Sequence, residues 1–200
     1  MPHLSGLYSA LHLQDKYGVL FNNSVSKEMK EPSEKRLHTW LDSLLVAHVF
    51  IHSDSHTFAE AFRRITKRAD FIVFPDGKKP YCIDVKEKRL ESRNGFAHPT
   101  FEVTRYDIEK LTEFQRLYRM RVWLVLTPNN SEDAWYFIDL HHVNRLPAEY
   151  LSGPTHIYIP YTGMSENSCY RYFETSGGTM NADKGFFTNY LTKNSPTFKE

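Results

Sequence analysis

Cysteine is scarce in this sequence. Cys82 and Cys169 are the only two and lie far apart, which excludes a disulfide framework and the paired Cys-x-x-Cys spacing of a structural zinc site. Long apolar runs are also missing: nothing approaches the ~20 apolar residues a membrane helix needs, because His, Asp or Pro interrupts each run. An excess of charge of one sign is lacking too. The 25 Lys and Arg stand against 24 Asp and Glu, for a net charge of +1. Any affinity for nucleic acid therefore has to come from local clusters of basic side chains. There is no internal repeat and no low-complexity tract. No basic leader precedes an apolar block in Met-Pro-His-Leu-Ser-Gly-Leu-Tyr, so a cytoplasmic location is expected. Histidine is plentiful, at ten, but none shows a ligand spacing such as His-Glu-x-x-His. His48, His52 and His56 are four apart, yet Phe50-Ile51 and Ser53-Asp54-Ser55 break any helix through them, and a structural role is expected. The same holds for His141 and His142, which close a strand.

What remains is an ordinary globular composition, 40% apolar and 24% charged over 200 residues, enough for one domain with its own core. Residues 1–30 read as an N-terminal extension: Leu4, Leu7, Leu11 and Leu13 suit a short helix, and Asn22-Asn23-Ser24 breaks it. From Ser33, a natural N-cap, Leu37, Trp40, Leu41, Leu44 and Leu45 recur at helical spacing to about residue 46. A strand is expected over Val46–Ile51 and a short helix from Thr57 through Phe58, Ala61, Phe62 and Ile65. Two β-rich runs, 70–74 and 81–85, flank Pro75-Asp76-Gly77-Lys78-Lys79-Pro80 and predict a hairpin. After a polar loop at Ser92-Arg93-Asn94-Gly95, residues 105–119 carry Ile108, Leu111, Phe114, Gln115 and Tyr118 on a helical repeat. Val122–Leu126 reads as a strand covered on both faces, and Trp135–Leu140 as another. The order predicts an α/β fold, a central mixed sheet flanked by helices. Residues 144–200 are rich in Tyr, Pro, Ser and Gly and hold one strand, His156–Ile159, suited to an edge strand, a dimer surface or a substrate-contact arm.

Side chains alternate along a strand, so in Cys82-Ile83-Asp84-Val85-Lys86-Glu87-Lys88 the residues Asp84, Lys86 and Lys88 share one face. The hairpin brings the strand headed by Asp70 alongside. Two carboxylates on a rigid sheet make an oxygen-donor site suited to Mg²⁺ or Mn²⁺, with positions left for water and phosphate oxygens. An Asp-x-Lys by itself also describes the charged face of many edge strands. Glu34 distinguishes this chain: it sits three residues before Leu37 and seven before Leu41, along the buried stripe of its helix.

In this order the sequence resembles the restriction-endonuclease-like nucleases, the PD-(D/E)xK superfamily, over roughly residues 33–140. The resemblance implies a core of helix, three-stranded meander, helix and further strand. It maps the first-helix glutamate onto Glu34, the two motif acids onto Asp70 and Asp84, and the lysine onto Lys86. The carbonyl of Val85 would join the metal shell. Gln115 with Tyr118 is similar to a glutamine and tyrosine pair of some branches. Ala69 stands where the motif name has proline, a position that varies widely. Asp76, in a literal Pro75-Asp76 pair, is the rival first acid, but its Pro-Asp-Gly setting suits a turn.

The implied activity is Mg²⁺-dependent endonucleolytic hydrolysis of DNA, with Mn²⁺ able to substitute, no nucleotide cofactor, and a homodimer to cut two strands. Restriction, junction resolution, mobile-element cleavage and repair nicking all fit such a core. Arg63, Arg64, Lys67 and Arg68 form the densest basic cluster and are candidate phosphate contacts, as are Lys88 and Arg89 at the end of the motif strand. Gln115 is a candidate contact as well as a packing residue. The alternatives are a nucleic-acid-binding or assembly protein with an inactive nuclease-like site, and an unrelated α+β domain whose hairpin is only a charged surface.

Overall fold

The structure is a computed structural model that describes residues 29, 32–51, 66–129, 134–151, 153–161, 171–176 and 179–180. The N-terminal extension, the short helix expected over 57–65, and with it Arg63 and Arg64, lie outside the described residues. The elements are α1 (Pro32–Ser43), β1 (His48–Phe50), β2 (Phe71–Val73), β3 (Tyr81–Lys88), β4 (Leu90–Glu91), β5 (Thr100–Thr104), α2 (Arg105–Tyr118), β6 (Arg121–Pro128), β7 (Ala134–Asp139), α3 (Leu140–Val143), α4 (Ala148–Leu151), β8 (His156–Pro160), β9 (Arg171–Ser176) and β10 (Thr179–Met180).

Helix α1 starts at Pro32, where the missing N–H costs nothing and the fixed φ suits the first turn. Ser33 is thereby drawn inside the helix and buried, and does not cap it as its residue type suggests. The helix ends at Ser43, short of residue 46, in a Schellman turn. Val46 N–H donates to Leu41 O at 3.0 Å and Leu45 N–H to Asp42 O at 2.9 Å, with Leu45 left-handed at φ 54°. Strand β1 follows at once.

The expected hairpin is present, with Phe71 opposite Ile83, Ile72 opposite Cys82 and Val73 opposite Tyr81. Gly77, at φ 66°, supplies the left-handed position of its turn. Among the described residues a seven-stranded sheet runs in the order β1-β2-β3-β6-β7-β9-β10, with β3 parallel to β6 from Tyr81–Arg121 to Lys88–Pro128 and the other neighbours antiparallel. All eight residues of β6 are buried, as its unbroken apolar run implies. Strand β7 stops at Asp139, whose side chain accepts from His141 N–H at 3.2 Å and caps α3. His141 and His142 therefore sit in that short helix and not at a strand end. A buried ion pair, Arg121 Nη2 to Asp139 Oδ2 at 2.7 Å, joins the start of β6 to the end of β7.

The crossover from β3 to β6 carries more than helix α2. Strands β4 and β5 precede it, and β5 pairs antiparallel with β8 to form a three-stranded sheet, β4-β5-β8, with β8 at its edge. Two apolar cores result. One, on one face of the main sheet, packs Ile108, Leu111 and Phe114 of α2 and Phe101, Val103, Ile157 and Ile159 of the small sheet against Leu124 and Leu126. The other, on the opposite face, packs Leu37, Trp40 and Leu41 of α1 against Ile83, Val85, Trp123 and Val125. Strand β3, antiparallel to β2 on one side and parallel to β6 on the other, lies between both layers.

Candidate metal centre

The alternation along β3 fixes where its polar residues point. Ile83 and Val85 enter the α1 core, so Asp84 and Lys86 face the α2 side. Asp70 lies one residue before the paired part of β2: its N–H donates to Ile83 O at 2.9 Å, and its carboxylate reaches β3 close enough to Asp84 for each to feel the other's charge. Asp70 is half-buried, and its Oδ2 accepts from the Val85 N–H at 2.6 Å.

Asp84 is wholly buried, and neither carboxylate oxygen accepts a hydrogen bond of good geometry. Its partners are ammonium groups held as ion pairs: Lys86 Nζ lies against Oδ2, and Lys67 Nζ is 3.7 Å from Oδ1. A buried carboxylate costs far more than a solvated one unless positive charge meets it, and the two ammonium groups supply that charge. Lys86 Nζ also donates to Val85 O at 3.3 Å.

Electrostatics bind these groups into one site. Burial, the Asp84 carboxylate and the field of Glu34 push Asp70 up to about 8, against the pull of Lys86 and the Val85 N–H. Glu34 is thus close enough to act on Asp70 from the first turn of α1, half-buried there. Burial alone would lower Lys86, but Asp84 and Asp70 outweigh it and hold the ammonium above its ordinary range. Cys82 on the same strand is packed in the α2-side core, where burial pushes its thiol up to about 12.

Lys67 and Asp107 were not distinguished by sequence as parts of one site. Lys67 Nζ bridges Asp84 and, at 3.3 Å, Asp107 Oδ1 in the first turn of α2. Burial would raise Asp107, yet Lys67, Lys86 and the Thr104 hydroxyl hold it below the usual carboxylate range. The available signal was Thr104-x-x-Asp107 at a helix start, which marks a cap: Thr104 Oγ1 accepts from Asp107 N–H at 3.2 Å. Lys67, expected as a phosphate clamp, is thus engaged by carboxylates of the site.

The structure places Gln115 in the packing beneath α2, buried, with Oε1 accepting from Val122 N–H at 2.9 Å. Tyr118 packs against Phe114, rings tilted by 34° with centroids 4.6 Å apart, and is exposed. Lys88 and Arg89 lie at the end of β3, lining a cleft with Arg93, Glu91, Glu102 and His156. Within that cleft Arg89 Nη1 pairs with Glu91 Oε1 at 3.1 Å. Asp76 is exposed in the hairpin turn, away from the paired acids.

By type the donors suit a divalent cation: the carboxylates of Asp70, Asp84 and Glu34 and the Val85 carbonyl are all oxygens, the ligand type of Mg²⁺ and Mn²⁺.

Neither a protein-family model nor a curated protein matches the chain. Among solved structures, it is similar to Hjc, a Holliday junction resolvase from the hyperthermophile Archaeoglobus fulgidus, at 15% identity and TM-score 0.44, covering 64% of this chain and 85% of that one. A nuclease from a fusselovirus is similar at 14% identity and TM-score 0.31, covering 80% and 85%. Helix α1, antiparallel meander β1-β2-β3, helix α2 and parallel strand β6 follow in the core order expected from sequence, with β4 and β5 inserted ahead of α2.

Proposed function

We propose that the chain is a divalent-cation-dependent endonuclease that hydrolyses DNA phosphodiester bonds. The observation that carries this reading is the convergence of two carboxylates and a lysine at one end of the hairpin: Asp70 held by the Val85 N–H at 2.6 Å, the wholly buried Asp84 beside it, and the Lys86 ammonium against Asp84. In this reading Asp70, Asp84, Glu34 and the Val85 carbonyl hold the cation. A bound Mg²⁺ or Mn²⁺ supplies charge neutralisation at the phosphoryl oxygens and a lowered pKa for its water.

The remaining steps belong to the chain's own residues. Because Lys86 is held in its charged form, it acts as an N–H donor and a positive charge. It would orient the attacking water and face the negative charge that develops on the phosphoryl oxygens. The Val85 N–H fixes Asp70, so the first acid is positioned before substrate arrives. Lys67 and Asp107 fix the opposite flank of Asp84 from the start of α2. Lys88, Arg89 and Arg68, with Arg63 and Arg64, would meet backbone phosphates, which positions the duplex without reading its sequence. A symmetric dimer would present two such sites to the two strands.

The test is a cleavage panel of plasmid and of linear, nicked, flap and four-way duplexes in Mg²⁺ and in Mn²⁺. Cleavage that Asp84→Ala and Lys86→Ala each abolish is expected. No cleavage of any substrate, together with calorimetry showing no cation binding that depends on Asp70 and Asp84, would establish instead a nucleic-acid-binding protein with an inactive site.

A further inference from the structure

A second group of ligating side chains lies where α1 meets β1, apart from the paired acids. His38 and Asp42 are one turn apart on α1, and His48 opens β1 just past the Schellman turn. Their ligating atoms all lie within 4.8 Å of one another. The two imidazoles meet edge to face, His38 Nδ1 to His48 Nε2 at 2.7 Å. Asp42 completes the group, with Oδ2 3.5 Å from His38 Nε2 and Oδ1 3.9 Å from His48 Nε2.

Hydrogen-bond direction decides what this arrangement offers. His48 Nδ1 is 2.8 Å from the Val46 carbonyl, which can only accept, so Nδ1 carries the proton. The neutral ring therefore turns a bare Nε2 toward His38. If His38 Nδ1 donates to it, the neutral His38 ring is left with a bare Nε2 facing an Asp42 oxygen, lone pair against lone pair. Three electron-pair donors thus converge on one spot with too few protons to go between them. An imidazole fixed by Nδ1–H to a backbone carbonyl, leaving Nε2 free, is the usual outer-shell arrangement of a metal-bound histidine.

We infer that His38, Asp42 and His48 form a site for a zinc-class transition-metal ion that pins helix α1 to strand β1. Two imidazoles select this class over Mg²⁺, which prefers an all-oxygen shell. Metal–nitrogen bonds of about 2.0–2.1 Å in a tetrahedral site set ligand atoms about 3.3 Å apart, close to the 3.5 Å between His38 Nε2 and Asp42 Oδ2 and the 3.9 Å between His48 Nε2 and Asp42 Oδ1. Their side chains are 9% and 4% exposed, whereas Asp42 is 36% exposed and gives the ion its way in, with water in the fourth position. The ion would also fix the rotation of α1, since Glu34, His38 and Asp42 recur every four residues along one face.

The experiment uses the full chain carrying Asp84→Ala, so that the paired-acid site does not contribute and the nuclease reading is not at stake. Calorimetry with Zn²⁺, and visible absorption with Co²⁺ as a coordination probe, should report one equivalent bound by imidazole ligands, with no matching Mg²⁺ signal. Adding Asp42→Asn, at a partly exposed position that the fold tolerates, should weaken Zn²⁺ at least about tenfold; adding His48→Gln should do the same and remove the Co²⁺ bands. Circular dichroism checks that each variant is folded. Zinc binding that survives Asp42→Asn unchanged, or no zinc binding in the Asp84→Ala chain at all, overturns the assignment.

Discussion

The main-chain N–H of Val85 donates to Asp70 Oδ2 at 2.6 Å, tying the carboxylate of one strand to the backbone beside Asp84 on the next. That bond holds the Asp70 carboxylate near the buried Asp84, so the metal-free fold carries repulsion within its own site. Asp70 has its pKa raised from 3.8 to about 8, first by burial and then by Asp84. The folded chain therefore binds more protons than the unfolded chain between those values, and metal-free stability falls as pH rises through that window. Asp70→Asn keeps an acceptor for Val85 and removes the charge. At pH 9 without metal it should melt about 2–4 °C above the parent chain, and saturating Mg²⁺, which stabilises the parent, should leave it unmoved. Differential scanning calorimetry at pH 5 and pH 9 checks both; a variant no more stable than the parent at pH 9 contradicts the strained-pair account.

Leu45 is the left-handed C′ residue of the turn after α1, at φ 54° and 74% exposed. A β-carbon costs about 1–2 kcal/mol in that conformation, and little packing offsets it there. Glycine removes the clash at some cost in unfolded-state entropy. Leu45→Gly should therefore stabilise by about 0.5–1 kcal/mol, read as a higher urea midpoint at unchanged slope. A lower midpoint would mean that Leu45 packs against something in solution that outweighs its backbone strain.

Much of this architecture was legible because local patterns determined it. Leu37, Trp40 and Leu41 at helical spacing, the Pro-Gly turn between two β-rich runs, and the unbroken apolar run of β6 each have one physical solution. The helix that supplies Glu34 and the strands that supply Asp70, Asp84 and Lys86 were therefore placed from sequence alone. The small second sheet was not. Strand β5 has only Phe101 and Val103 as buried apolar residues, and its partner β8 pairs from Thr100–Pro160 to Thr104–His156, a contact that leaves no local trace. Lys67 and Asp107 are joined only through the tertiary fold. His38 was invisible as a partner of His48 for the same reason, because a left-handed leucine turns the chain back between them.

Gln115 shows how a polar residue on a helical stripe is decided by its neighbours. Its Oε1 accepts the Val122 N–H near the start of β6, a donor with few other acceptors in reach of a buried strand. Gln115→Leu fills similar space but strands that donor. The variant should lose about 1–3 kcal/mol of stability, while DNA affinity per folded molecule, measured by anisotropy well below the melting transition, stays unchanged. Unaltered stability with weakened DNA binding would return Gln115 to the surface role its motif setting suggests.

Lys67 separates charge from ligation at the site. Its ammonium, 3.7 Å from Asp84 Oδ1 and 3.3 Å from Asp107 Oδ1, supplies part of the positive charge that a divalent cation would otherwise bring. Lys67 is about one-third exposed, so water and salt weaken its field. Replacing it with methionine keeps the apolar stem and removes the charge. Mg²⁺ affinity should then rise about three- to tenfold at low ionic strength, and the gain should shrink at high salt, because the lost repulsion is Coulombic. The proposed roles differ for Lys86, and so do the expected kinetics. Lys67→Met should retain cleavage with a lower Mg²⁺ requirement, whereas Lys86→Met should bind Mg²⁺ and fail to cut. Calorimetric titration at low and high salt, paired with a cleavage assay, reads both outcomes. Weaker or unchanged Mg²⁺ binding in Lys67→Met would mean that Lys67 supports the site by holding Asp84 and Asp107 in position, and not by standing in for the cation's charge.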